Sequence, residues 1–156
     1  MNKEGIENLL WSALLPGLGQ VLNKRYIKGI FILGLGLLVN VKSYYNIAVL
    51  MSFHGNFLAA IEQTNYFWLM FYPCLYAFAM WDTYKDAKEV IEPFSYLPLV
   101  SGAYFATVGL IFSSSMKLFW GLTAPVLSPI IFGVLGVSVG FMIKKILFRI
   151  NKLEND

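Results

Sequence analysis

Residues Leu14–Gly29 read L-L-P-G-L-G-Q-V-L-N-K-R-Y-I-K-G. An apolar run meets Pro16-Gly17, resumes for a few residues, and ends at Lys24, Arg25 and Lys28. Proline has no N–H to donate and its ring clashes with the preceding helical turn, so a helix entering this stretch must break or kink there. The stretch reads as the turn of a helical hairpin in a membrane. Short loops rich in Lys and Arg stay on the cytoplasmic side, which sets the expected side of the turn. The rest of the topology counts outward from it.

Composition supports the same solvent. Of 156 residues, 58% are hydrophobic and 13% charged, against about 25% charged in a typical soluble domain. Too little polar surface remains to face water all round. Several apolar runs approach the ~20 residues that cross a ~30 Å hydrocarbon layer. Only helices and closed barrels satisfy their backbone there. The fold class expected is therefore all-α, a polytopic helical membrane protein with four full spans plus one short or re-entrant N-terminal segment, in a single membrane domain over residues 1–156. One cysteine, Cys74, and one histidine, His54, exclude an intrachain disulfide and a Cys/His metal cluster. The net charge of +3 is spread over short loops, so no nucleic-acid partner is expected. No small-x-small cleavage site follows the first apolar run, which argues against a signal peptide.

In chain order, the N-terminal hairpin spans residues 9–45. Its first limb, Leu9–Leu22, is ~21 Å of helix, and reads as a kinked short span or a re-entrant element. The side of residues 1–8 stays open with that choice. The second limb runs from Tyr26 to about Tyr45, with Lys42 placed to snorkel to the headgroups. In residues 46–63, Ile47, Leu50, Met51, His54, Phe57, Leu58 and Ile61 follow helical steps. This predicts an interfacial helix, and a span ranks second. Residues 66–92 form an aromatic span, Tyr66 to about Trp81, with a cytoplasmic extension ending at Pro93. Pro73 is expected to kink it. Lys85–Glu89 and Lys88–Glu92 are spaced to pair.

Residues 96–143 hold a helix pair joined by the turn Ser114–Lys117. Gly102, Ala106 and Gly109 make a small face on the first helix, and Gly133, Gly136 and Gly140 make one on the second. Small residues let helices approach closely in lipid, so the two faces are expected to pack together. Residues 144–156 form a basic tail. This order puts Lys24, Arg25, Lys28, Lys85, Lys88, Lys144, Lys145, Arg149 and Lys152 inside and Lys42 and Lys117 outside, so the C-terminus is expected in the cytoplasm.

The L-P-G-L-G-Q…Y-x-K-G pattern resembles the hairpin of TM2-type membrane domains over about residues 9–41. Phe71–Ala87 also looks like a stretch found in small membrane proteins of Gram-positive bacteria. These resemblances imply two short helices flanking a Gly-rich basic turn, and a bacterial inner (cytoplasmic) membrane, multi-pass.

The chemistry in the sequence is sparse. Lys24, Arg25, Tyr26 and Lys28 are the candidate lipid or partner contacts. Cations near an anionic surface are worth ~1 kcal/mol each. Asp82, at the membrane edge of the aromatic span, is placed to pair with Lys24, Arg25 or Lys28, and an ion or proton site is its functional alternative. Ser114-Ser-Met-Lys117 matches S-x-x-K, but lacks the companion motifs of that nucleophile. No catalytic set, cofactor or metal is expected. The sequence therefore reads as a non-enzymatic accessory or scaffold subunit, with membrane lipid and a membrane protein partner or a second copy of itself as partners. A transporter or channel component, with a path near Asn40, Pro73 and Asp82, is the alternative. A lipid-modifying membrane enzyme ranks third.

Overall fold

The computed structural model describes residues 3–88, 90–113 and 125–153. Among them the chain forms nine helices and no strand. The Lys85–Glu89 pair, the Ser114–Lys117 turn with its S-x-x-K, and residues 119–124 of the predicted helix pair lie outside the described residues.

Helices α1 (Lys3–Leu14) and α2 (Leu18–Leu22) are separated at Pro16-Gly17. Gly17 has φ 104°, a left-handed backbone that a side chain would strain. The break turns α2 back along α1, so Gly19 packs against Asn8 and Ser12. Asn8 Nδ2 donates to Asn23 Oδ1 at 2.6 Å. The first segment is thus a tight helical hairpin that starts beside the basic turn and returns to it. It also begins six residues earlier than its apolar run, because α1 carries Lys3, Glu4 and Glu7 on an exposed face.

After the turn, with Lys24 at φ 61°, α3 (Tyr26–Ser43) runs to the opposite end. Residues 46–63, expected as one helix, form two: α4 (Tyr45–Phe53) and α5 (Phe57–Gln63). Gly55, at φ 77°, makes the break. Ala48, Ser52 and Ala60 are buried, so these small residues turn inward. Asn65 N–H donates to Ser43 O at 3.0 Å. The chain comes back to where α3 ended.

Helices α6 (Tyr66–Leu69) and α7 (Phe71–Asp86) return to the basic end. They part at Met70, one turn before Pro73. A proline at 73 leaves the Leu69 carbonyl without its helical donor, so the interruption precedes the ring. Helix α7 stops at Asp86, short of the predicted Pro93. Past Ala87, Val90 and Ile91 stay exposed instead of packed, and packing supplies most helical stability.

Helix α8 (Leu97–Phe112) has Pro98 in its first turn, where a missing N–H costs nothing. It runs antiparallel to α9 (Leu127–Leu153). Gly102 lies against Val137 and Gly133, Gly109 against Phe132, Gly136 against Ser101 and Phe105, and Gly140 against Pro98. Ser128 Oγ donates to Gly109 O at 2.8 Å. The basic tail is not separate: through Leu153 it continues α9.

Four stretches therefore run between the same two ends: α3, α6–α7, α8 and α9. Two of them, α3 and α9, are long and apolar enough to cross a membrane. Helix α8 has 16 residues, or ~24 Å, and α7 carries Asp82, Lys85 and Asp86 in its last turns. The expected four full spans narrow to these two on length and composition. Only 28% of the apolar window of α3 and 11% of that of α9 is buried. Their apolar faces look outward, as membrane association requires.

Candidate functional site

Asp82 is the centre of the basic end. It stands in the penultimate turn of α7 with its side chain 5% exposed. Lys28, in the first turn of α3, reaches it: Nζ lies 3.1 Å from Oδ1 and 3.4 Å from Oδ2. Lys85 Nζ, one turn on, is 3.7 Å from Oδ1. Gln20 of α2 is fully buried, and its Nε2 donates to Ala79 O at 2.8 Å and to Asp82 Oδ2 at 3.4 Å. Arg25 Nε sits 3.7 Å from Asp86 Oδ2. Asp82 and Asp86 thus fasten α7 to the hairpin turn. Burying a carboxylate is costly unless it is paired and hydrogen-bonded, and here three elements supply the partners.

The candidate contact residues separate in this geometry. Lys28 and Arg25 are engaged with α7. Lys24 holds the left-handed turn position, and Tyr26 opens α3 with 57% of its surface exposed. The small-residue set Gly102, Ala106, Gly109, Gly133, Gly136 and Gly140 lies inside the α8–α9 pair, where it serves the hairpin.

Sequence reasoning missed a polar layer beneath the ion pairs. Ser12, Gln20 and Thr83 are fully buried. Ser12 Oγ, Gln20 Oε1 and Thr83 Oγ1 have no partner among the described residues. Gly19 brings them together, for a Cβ there would lie 2.6 Å from Thr83 Oγ1 and 2.8 Å from Ser12 Cβ. The available signal was a lone glutamine inside the apolar limb Leu9–Leu22.

A second clasp joins α9 to the loop after α7. Lys144 Nζ donates to Glu92 Oε2 at 2.8 Å and to Ser95 Oγ at 3.2 Å. Lys88 Nζ lies 3.4 Å from Glu92 Oε1. The Lys144 hydrogen bond, then its charge, then Lys88 hold the Glu92 carboxyl below the usual carboxylate range.

Between α7 and α8 lies a groove of ≈ 630 Å³. Cys74, Ala77, Phe78 and Trp81 line one wall, and Leu99, Val100, Ala103 and Tyr104 the other. A smaller cavity of ≈ 330 Å³ lies by Tyr45, Tyr72 and Pro73. Neither is lined by Asn40, Lys42 or Asp82. Asn40 Nδ2 instead donates to Tyr72 Oη at 3.2 Å and to Asn46 Oδ1 at 3.1 Å. His54 Nδ1 is 2.8 Å from Leu50 O at the exposed end of α4. Among the described residues no three His, Cys, Asp or Glu side chains gather as a metal site.

No family model, no curated protein and no solved structure matches this chain.

Proposed function

We propose that the chain is a non-enzymatic subunit of a bacterial cytoplasmic membrane, crossing it with α3, α6–α7, α8 and α9 and scaffolding a membrane protein partner. Lys3, Lys24, Arg25, Lys28, Lys85, Lys88, Lys144, Lys145, Arg149 and Lys152 cluster at one end, and Lys42 stands at the other. By the positive-inside rule the basic end, with both described termini, faces the cytoplasm. The observation that carries the scaffold reading is the exposed apolar face of α9. Among the described residues its helix packing is chiefly on α8, through its glycine face, with Lys144 clasping Glu92, while Val134, Leu135, Phe141 and Met142 are exposed. A helix held chiefly by one neighbour offers a second apolar face to a partner.

Extraction in mild detergent is expected to recover a stoichiometric partner. Leu135→Trp with Met142→Trp keeps the outer face apolar, so insertion survives, but it spoils close helix packing. Those changes should abolish copurification and leave the yield of membrane-inserted chain intact. Recovery of the partner undiminished, or of no partner from the native chain, contradicts the scaffold.

One observation favours the transporter reading. Two helices are interrupted, at Pro16-Gly17 and at Met70, and broken helices are where transporters bind their cargo. The buried polar atoms nevertheless sit by the basic end, not at midplane, and Lys28–Asp82 closes over them. The subunit reading accounts for more of the surface.

A further inference from the structure

We propose that the α7–α8 groove holds one anionic phospholipid, with its acyl chains against α7 and α8 and its phosphate at Lys85 and Lys88. The inference rests on the membrane setting and not on the partner. On α7 the groove residues Cys74, Ala77, Phe78 and Trp81 follow 3- and 4-residue steps. The same stripe continues into the last turn of α7 at Lys85 and the residue Lys88 just beyond it. On α8, Leu99, Val100, Ala103 and Tyr104 face it. The apolar walls close at Trp81 and Tyr96, whose rings meet edge-on at 6.1 Å. Immediately past them Lys85 Nζ stands 6.0 Å from the Trp81 ring centroid, and Lys88 Nζ 5.0 Å from that of Tyr84. The ammonium groups and the aromatic rings are thus stacked at one level, the arrangement found where a hydrocarbon phase meets its headgroups.

Charge complementarity selects the occupant. Asp82 is shared by Lys28 and Lys85, and Glu92 by Lys88 and Lys144. Each of these carboxylates faces two ammoniums, so among the described residues a net positive charge is left at the mouth of the groove. Lys85 keeps 39% of its side chain exposed and Lys88 20%. A partner helix would fill the apolar walls and leave that charge unanswered. A zwitterionic lipid would bring its own cation to the same place. A lipid with a net negative headgroup satisfies both halves of the groove.

The chain, reconstituted in nanodiscs of equal phosphatidylglycerol and phosphatidylcholine, is released into native mass spectrometry. The expected spectrum shows retained phosphatidylglycerol in excess of phosphatidylcholine. Lys85→Gln with Lys88→Gln should erode that excess by roughly fivefold for each lysine. Ala103→Trp fills the groove from the α8 side, and a bulky maleimide on Cys74, the chain's only cysteine, fills it from α7. Each should remove the retained lipid. Equal retention of the two lipids by the native chain, or an excess that survives both blocks, overturns the proposal. A chain that needs no detergent or bilayer at all would instead sink the membrane reading beneath it.

Discussion

Replacing Gly140 with isoleucine is expected to open the α8–α9 hairpin. A Cβ at Gly140 would lie 2.5 Å from Pro98 Cα, 2.7 Å from Leu97 O and 2.9 Å from Pro98 N. All three are backbone atoms in the first turn of α8, so no rotamer change relieves the clash. At Gly136 the same atom would meet Ser101 O at 2.5 Å and Phe105 Cβ at 2.6 Å. Overpacking of this kind costs about 3 kcal/mol at the upper end of its usual range. For a chain of this size that lowers the thermal midpoint by roughly 6–12 °C. Gly34, in mid-α3, has nothing within 4 Å of its would-be Cβ. Gly34→Ile carries the same change of helix propensity without the clash, and should leave the midpoint in detergent where it was. If Gly140→Ile and Gly34→Ile behave alike, the glycines do not set the distance between α8 and α9.

The second large effect concerns Asp82, and its sign depends on which partner is removed. Lys28 has 57% of its side chain exposed against 5% for Asp82. Losing the acid lets the lysines turn to water. Losing both lysines strands a carboxylate among Gln20, Ala79 and Thr83. Breaking a buried pair that way costs about 3–5 kcal/mol, and the lower end applies because Gln20 Nε2 still donates to Asp82. Lys28→Met with Lys85→Met is therefore expected to destabilise the chain by about 3 kcal/mol. Adding Asp82→Asn to that pair should restore most of the loss. Detergent melts of the native chain, the double variant and the triple variant make the comparison. A triple variant no more stable than the double one would show that Asp82 is not held as a buried charge.

Particular residues show what the sequence could and could not convey. Asp82 was legible because an acid inside apolar chain needs a cation, and the basic turn is at the same end. The glycine faces of α8 and α9 were legible because helical spacing is fixed by covalent geometry. Residues 46–63 were harder. The helical steps of the apolar residues run straight through Gly55, whereas its positive φ breaks the helix between α4 and α5. The start of α1 and the extension of α9 past Ile143 were hidden for another reason. Apolar runs mark where lipid begins, while backbone helix continues into water. Ser12, Gln20 and Thr83 left almost no trace, since an uncharged polar side chain has no preferred distant partner until the fold supplies one. The clasp of Glu92 by Lys144 spans 52 positions and is likewise a product of the packing.

Cysteine accessibility in intact cells tests the central claim, that lipid surrounds α3, α6–α7, α8 and α9 with the basic end inside. Cys74→Ser removes the native thiol, and Asn56→Cys, Glu4→Cys and Lys152→Cys are then made one at a time. All three replacement sites are exposed. A membrane-impermeant maleimide should label the Asn56 variant from outside, and the Glu4 and Lys152 variants only after lysis. Labelling at Glu4 or Lys152 from outside, or recovery of the chain in the supernatant without detergent, would contradict the account.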